Sequence, residues 1–189
     1  EEVGRMSRMV NDLLTLAQAE AGEIRLDFVP VAFDALAADL VDQMKPLAEE
    51  KGVRLETGAT GRVVARGNEP RLRQLVLNLL DNAIKYTPAG GRIRVAVSQD
   101  DSSAVFAISD TGIGIPENDL PRIFERFYRV DRARSKTVEG VGLGLSIAKW
   151  IVDAHGGEMK VYSTAGQGTT FRIQFPLAVE PTRVAAEAR

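Results

Sequence analysis

In the stretch QLVLNLLDNAIKYT, residues 74–87, Asn78 and Asn82 stand four apart, and Lys85 and Tyr86 follow one turn later. On an α-helix that spacing lines the four side chains along one edge. Leu75, Leu79, Leu80 and Ile84 fall on the buried faces. An amide oxygen is a hard ligand that suits Mg²⁺, and an ammonium suits a phosphate. Asparagine is a mediocre helix former, and a buried amide costs free energy unless it is bonded. Two amides on one helix edge therefore need a reason. A nucleotide-like ligand is one, and a core helix with a polar rim is the other; this segment alone leaves both open.

Two glycine-spaced stretches could complete such a site. SDTGIGIP, residues 109–116, ends a predicted strand at Asp110 and continues with Gly112 and Gly114. A carboxylate placed there accepts a hydrogen bond from an exocyclic amine, and glycine lets the backbone approach a flat ring. A tight turn alone would read the same way. EGVGLGLSIAKW runs Gly140, Gly142 and Gly144 into an apolar helix, which frees backbone N–H groups for an anion at a helix start. No parallel βαβ unit surrounds it and no Walker G-K-S/T follows, so it is neither a Rossmann fingerprint nor a P-loop. Between the two lies FERFYRVDRARSKTVEG, in which Phe124, Phe127 and Tyr128 sit among Arg126, Arg129, Arg132, Arg134 and Lys136. A long cationic loop of this kind is either a solvated basic surface or a lid facing a polyphosphate.

The elements that must position these groups follow from patterning. Helical periodicity predicts helices over Val3–Ala21, Asp34–Lys51 (with a kink at Pro46), Glu69–Tyr86 and Leu143–His155. EIRLDFVPVAF alternates and carries a proline, which suits an extended connector or edge strand. GVRLETGA and GRVVARG read as short strands, GRIRVAVSQD and SAVFAISD as a strand pair, and GEMKVYST with TTFRIQFPL as a closing hairpin. That order gives an α+β fold, with a largely antiparallel sheet packed on helices. The polar end AVEPTRVAAEAR is expected to fray.

Bulk properties remove several function classes. The 189 residues carry a formal net charge of −2, which offers no basic footprint for nucleic acid. No cysteine is present, which excludes disulfides and thiolate metal sites, and the single histidine, His155, excludes a multi-histidine centre. No apolar run approaches the roughly 20 residues that span a bilayer. The opening EEVGRMSRMV lacks an initiator Met and starts inside a periodic segment, so the chain reads as a piece of something longer.

The asparagine-edged helix, the D-x-G-x-G turn, FERFYR, GVGLGLS and GQGTTF occur in the order and spacing of the N, G1, F, G2 and G3 boxes. Over Asp34 to Pro176 this strongly resembles the ATP-binding catalytic domain of bacterial sensor histidine kinases. The segment from Glu1 to Gly22 resembles the second helix of that family's dimerisation and phosphoacceptor hairpin. The resemblance implies a two-layer α/β sandwich of a mixed, mainly antiparallel sheet on helices, with the N-terminal helix belonging to a four-helix bundle. It implies a partial hairpin at 1–22, a linker at 23–33, the catalytic domain at 34–177 and a flexible tail at 178–189. ATP and Mg²⁺ are the implied cofactors. Asn82 and Asn78 would hold Mg²⁺, Lys85 would contact phosphate, and Tyr86 would flank the adenine. Asp110 would accept from the adenine amino group in a pocket shaped by Gly112, Gly114 and Ile115, with Thr169 helping to hold Asp110. Arg129 would reach the γ-phosphate, and Gly142, Leu143, Gly144 and Leu145 would close over the phosphates.

Catalysis would then rest on Asn78, Lys85 and Arg129. Related ATPases of the same fold (gyrase, MutL and the heat-shock chaperones) resemble one another in carrying Glu where this chain has Asn78. An amide lacks the basicity to activate water, which favours transfer over hydrolysis. The family's phosphoacceptor motif is missing from this sequence, and His155 in DAHGGE reads as a structural residue at a helix end. The implied function is the kinase core of a two-component sensor. Its partners would be a hairpin bearing the acceptor histidine and a response-regulator receiver domain, with no nucleic acid and no membrane contact by this piece. A homodimer is implied for the longer protein, as is a cytoplasmic position for this domain, with anchoring in the bacterial inner membrane open. A nucleotide-gated interaction switch, or a serine kinase acting on an anti-sigma partner, is the alternative on the same fold.

Overall fold

The computed structural model describes residues 2–100, 103–130 and 141–177. The elements run α1 (Glu2–Glu20), β1 (Val29–Ala32), α2 (Phe33–Glu50), β2 (Arg54–Thr60), β3 (Val64–Gly67), α3 (Glu69–Tyr86), β4 (Arg92–Gln99), β5 (Ser103–Asp110), α4 (Gly144–Ala154), β6 (Glu158–Thr164) and β7 (Gly168–Pro176). A 3-10 turn at Glu117–Arg122 lies in the stretch that patterning left as loop. The expected tail and the loop residues Arg132, Arg134, Lys136 and Gly140 fall outside the described residues.

Five strands form the main sheet in the order β2-β4-β5-β7-β6. Every neighbouring pair is antiparallel except β2 with β4, which is parallel. The fold is thus the expected α+β sandwich with a mixed, mainly antiparallel sheet. One face of the sheet carries Ile93, Val95, Val97, Phe106, Ile108, Phe171, Ile173 and Phe175, all buried against the helices. The alternate positions, such as Arg92, Arg94 and Arg172, are exposed. This is the two-period pattern of a sheet covered on one side.

A second, two-stranded sheet pairs β1 with β3, Pro30 standing opposite Arg66. Both of its strands are edges, which is where a proline without an N–H is tolerated. The strand lies within the stretch expected to be linker. Helix α2 starts at Phe33 and runs through Pro46 as one helix to Glu50.

Phe33 ties the two layers together. Its ring lies 5.7 Å from that of Phe106 and 5.7 Å from that of Phe175, and the three side chains are at most 1% exposed. Edge-on and tilted packing of this kind suits the ring quadrupoles. Phe33→Ala is expected to cost about 3–5 kcal/mol of unfolding free energy through the cavity it leaves. Urea denaturation would show this as a lowered midpoint at unchanged slope, with Phe33→Leu losing clearly less.

Candidate functional site

Helix α3 is built to present one polar edge. Asn68 caps it, its side-chain oxygen accepting from the Arg71 N–H at 3.2 Å, and Pro70 occupies the first turn. Leu72, Leu75, Val76, Leu79, Leu80, Ala83 and Ile84 are buried, whereas Asn78, Asn82, Lys85 and Tyr86 are half-buried at the rim. The Asn78 amide nitrogen donates to the Gly144 carbonyl at 3.2 Å. Among the described residues the Asn82 amide makes no hydrogen bond. The Lys85 ammonium is held by Asp81 at 2.5 Å, one turn back on the same helix.

The end of α3 is fixed from α2. The Lys51 ammonium donates to the Ile84 carbonyl at 2.5 Å and to the Lys85 carbonyl, capping the negative end of the helix. Burial, and then the neighbouring Lys85 charge, hold the Lys51 pKa below the ordinary lysine value. Sequence reading missed this residue, because a lysine just past a helix end carries no signal of a partner 33 positions away.

Asp110 stands at the end of β5, in register with Ile93 on one side and Thr169 on the other. One of its oxygens, Oδ1, accepts from the Gly112 N–H at 2.8 Å and from the Thr169 N–H at 3.2 Å. The Thr169 hydroxyl is spent on Ser163, at 2.8 Å. Thr169 therefore steadies Asp110 through its backbone, and Ser163 is a supporting residue that the motifs did not mark. Burial pushes the Asp110 pKa above the ordinary carboxylate value, against the opposing pull of the two N–H groups. The turn that follows is sewn to its surroundings: Ile113 donates to the Tyr86 carbonyl at 3.1 Å, and Ile115 donates to the Ser163 hydroxyl at 2.8 Å. Gly114 has φ +65°, and a Cβ there would stand 2.0 Å from the Thr164 carbonyl oxygen, so no other residue fits.

On the far side of the Asn78 edge, α4 begins at Gly144. Its first intrahelical bond is from Ile147 to the Leu143 carbonyl, at 3.0 Å. The N–H groups of Gly144, Leu145 and Ser146 thus have no acceptor within the helix. Leu143 is buried and Leu145 packs on the core. The Phe127 N–H donates to the Gly142 carbonyl at 3.0 Å, pinning the loop after the 3-10 turn to the start of α4. Phe127 has φ 61°, a left-handed conformation unusual for an aromatic residue. Arg129 is half-buried in this loop. Tyr128, one residue earlier, donates to Asp119 and lies under the Arg122 guanidinium, 4.2 Å from its ring centre.

The structure therefore gathers Asn78, Asn82, Lys85 and Tyr86 on one helix edge, with Gly144 against Asn78 and the turn of Asp110 against the Tyr86 end. Open clefts elsewhere, such as one of about 400 Å³ bordered by Arg54, Gly90, Arg92 and Thr111, hold none of these groups. Chemistry marks the site here, not volume. Among the described residues no cluster of three acidic or imidazole groups could cage a metal ion. The donor set suits Mg²⁺ in a different way. Mg²⁺ takes one or two protein oxygens and completes its octahedron with phosphate and water, and the amide oxygens of Asn82 and Asn78 are hard donors of that kind.

A helix with an amide edge, a carboxylate held at a glycine turn and a second helix opened by glycine define a nucleotide-binding sandwich. Residues 67–179 match the family described as histidine kinase-, DNA gyrase B-, and HSP90-like ATPase. The phosphate regulon sensor protein PhoR of Pseudomonas aeruginosa is 39% identical over 189 residues, which is 100% of this chain and 42% of PhoR. Sensor histidine kinase RppB of Synechocystis is 40% identical over 178 residues, 94% of this chain and 39% of RppB. Among solved structures, full-length ShkA in complex with AMPPNP superposes with a TM-score of 0.81 at 34% identity, over 96% of this chain and 38% of that one. The mycobacterial sensor histidine kinase MprB does so with a TM-score of 0.70 at 30% identity, over 82% of this chain and 100% of that one. This chain belongs to the histidine kinase-, DNA gyrase B- and HSP90-like ATPase family, on its sensor histidine kinase branch. It spans less than half the length of PhoR and RppB.

The Asp110 environment has a consequence for stability. A carboxyl whose folded pKa is raised favours the protonated native state, so its contribution is fully present at low pH and is lost as pH rises through the folded value. At neutral pH the carboxylate is therefore a cost. Asp110→Asn keeps an oxygen for the Gly112 and Thr169 N–H groups and removes the buried charge. Its thermal midpoint is expected to equal or exceed the wild-type midpoint at pH 7, with the advantage shrinking toward pH 3. A midpoint well below wild type at pH 7 would contradict this account.

Proposed function

We propose that this chain is the kinase core of a two-component sensor: it binds ATP with Mg²⁺ and donates the γ-phosphoryl to a histidine on a hairpin helix. A receiver-domain aspartate of a response regulator then takes the phosphoryl onward. The observation that carries the proposal is Asn78. It stands where the fold's ATPases carry a glutamate, its amide nitrogen is committed to the Gly144 carbonyl, and an amide cannot take a proton from water at neutral pH.

Each part of the site has a task under this reading. The second oxygen of Asp110 accepts from the adenine amino group, while Gly112, Gly114, Ile115 and Tyr86 shape the ring's slot. Because Gly112 and Thr169 hold Oδ1, only one orientation of the carboxylate is available to the base. Lys85, steadied by Asp81, faces phosphate. The N–H groups of Gly144 and Leu145, with Gly142 and Leu143 before them, receive phosphate oxygens at the start of α4. Arg129 meets the γ-phosphate from the loop side. Asn82 and Asn78 would hold Mg²⁺, which neutralises charge as it builds between the β- and γ-phosphates. The work of Lys85 and Arg129 is positioning and charge stabilisation, and no residue here needs to act as a base toward water. The AMPPNP complex of the similar ShkA supports the nucleotide assignment.

The acceptor lies outside this sequence on this reading. His155, its sole histidine, is 5% exposed and both ring nitrogens are engaged, one with the Ile151 carbonyl and one with the Asn68 N–H. We assign residues 1–22 to the second helix of the phosphoacceptor hairpin and 34–177 to the catalytic domain, in a longer protein that dimerises through the hairpin. No helix among the described residues is long and apolar enough to cross a membrane. ATP as donor puts this domain on the cytoplasmic side, with any inner-membrane anchor elsewhere in the longer protein.

Two measurements test the reading. Radiolabelled ATP should label nothing on the chain alone and should label an added hairpin that carries the family's histidine. Rapid phosphate release with no transfer to the hairpin would sink the proposal. In Asp110→Asn the oxygen stays with the two N–H groups, so the amide NH₂ is turned toward the adenine amino group, donor against donor. Losing a hydrogen bond to a charged group costs about 1.5–3 kcal/mol, so nucleotide affinity should fall about 10- to 100-fold in equilibrium titration.

A further inference from the structure

Helices α3 and α4 lie antiparallel and are joined at both ends by a bond between a side chain and the backbone. At the start of α4 the Asn78 amide donates to the Gly144 carbonyl at 3.2 Å. Past its end, the Asn68 N–H donates to His155 Nε2 at 3.0 Å. Asn68 and Asn78 are ten residues apart on α3, and Gly144 and His155 are eleven apart on α4. At 1.5 Å per residue these spans are about 15 and 16.5 Å, so the two fastenings fit one rigid pairing. Between them Arg71 lies over the Trp150 ring, 5.2 Å from its centre.

The His155 end is a built setting. Nδ1 lies 2.7 Å from the Ile151 carbonyl and donates to it, which leaves Nε2 as a lone-pair acceptor for Asn68. Asn68 is also the cap of α3, and its side-chain nitrogen donates to the Asp27 carbonyl at 3.3 Å. Phe28 and Phe175 meet the imidazole edge-on at 5.1 and 5.9 Å. Gly67 makes room for it, since a Cβ there would stand 3.0 Å from the ring. One imidazole therefore joins α4, the β3–α3 junction, the chain ahead of β1, and β7.

We infer that His155 is a positioning residue for nucleotide binding: as a neutral Nδ1–H imidazole it anchors the capped end of α3 to α4, and so fixes the gap between the Asn78–Asn82 edge and the start of α4. The inference rests on the nucleotide site proposed above. Asn78 alone is a poor guardian of that gap, because it sits where the ligand enters. The anchor at the opposite end of the pair holds the angle without touching the nucleotide.

The anchor works in one protonation state. A proton on Nε2 turns the acceptor into a donor facing the Asn68 N–H. Burial already holds the imidazole pKa below its ordinary value. Among the described residues no charge offsets the proton. Glu69 pairs with Arg73, Arg71 lies on Trp150, Asp153 binds Lys149, and Asp27, Arg66 and Glu158 are exposed. A lowered folded pKa means that the contribution is complete above about 6.5, the ordinary value, and is lost as pH falls below it.

The test compares wild type, His155→Gln and His155→Phe by titration with the Mg²⁺ complex of a non-hydrolysable ATP analogue from pH 7.5 to 5.5. Thermal unfolding and ¹⁵N spectra of the ring are recorded alongside. Gln keeps an acceptor without a titratable proton, while Phe keeps the ring and removes the acceptor. At pH 7.5 Gln should bind within about three-fold of wild type, and Phe should bind at least ten-fold more weakly while still unfolding cooperatively. Where the ¹⁵N spectra show the ring taking up its proton, the ratio of wild-type to Gln affinity should fall, and taking the ratio cancels the protonation of the nucleotide itself. The ring should show the Nδ1–H tautomer at pH 7. Phe binding as tightly as wild type, a wild-type to Gln ratio that stays unchanged after the ¹⁵N spectra show the ring protonated, or an Nε2–H tautomer at pH 7 would each overturn the inference. Wild type that binds no nucleotide at all overturns the functional reading, and this inference with it.

Discussion

Seven residues of α3, from Leu72 to Ile84, are buried against the sheet and α4, and they recur every three or four positions. Burial of that face is the constraint on which the site depends. Fully burying a Leu, Val or Ile side chain is worth about 1.5–3 kcal/mol, so rotating the helix by even one position would forfeit several such terms. With the apolar face fixed, the positions of Asn78, Asn82 and Lys85 are fixed as well, since they fall outside that face. The polar groups spend no folding energy on their own placement. Their neighbours hold them: Gly144 takes the Asn78 nitrogen, Asp81 takes Lys85, and Lys51 ties down the last carbonyls.

Departures from local rules gather around this edge. Asp110 is a carboxylate in a place that disfavours its charge, Phe127 is an aromatic residue with positive φ, and Gly114 sits where no side chain fits. Among the described residues β4 alternates, α3 is capped and no buried side-chain polar atom lacks a partner. Strain and unfavourable ionisation survive only where surrounding structure over-determines them, and sites are where such costs serve a purpose. The β5–β7 register supplies that over-determination for Asp110. Thr169 is its direct cross-strand partner, so the N–H that grips the carboxylate is placed by eight residues of ladder rather than by a loop.

Much of this was legible in the residues, and the rest was not for physical reasons. Pro70 suits the first turn of α3, and the period of its leucines predicts both its buried face and its polar edge. The β4–β5 and β6–β7 hairpins follow from alternation broken by polar turns. Pairings between distant strands leave no such trace. Nothing in GVRLETGA or GRVVARG says that one joins β4 in parallel and the other joins β1 in a separate sheet. Motif spacing also marked Asp110 without revealing that Thr169 would hold it by backbone and Ser163 by relay. Lys51 and the Asn68 partner of His155 were hidden for the same reason: each bond joins groups more than 30 positions apart, and periodicity speaks only of neighbours.

Helix α1 shows how lightly one element can be joined to such a core. Among its described side chains Leu16 is the single fully buried apolar one, with Met9 and Leu13 packing partly against the core. Glu20 meets Arg126 at 2.5 Å, in the loop that leads to Phe127. Both partners of that ion pair are solvent-exposed, so screening leaves it worth about 0–1 kcal/mol. Burial of one leucine adds about 1.5–3 kcal/mol, less the entropy of ordering the helix. Meanwhile Met6, Val10 and Leu14 form a second apolar stripe at i, i+4 and i+8 that faces solvent. A helix needs its apolar surface covered to be stable in water, and among the described residues only the Leu16 side of this one is covered. The docking of α1 thus rests on little buried apolar surface among the described residues. Arg126 precedes Phe127, whose N–H is bonded to Gly142, so the ion pair links α1 through that loop to the start of α4, where Gly144 meets Asn78.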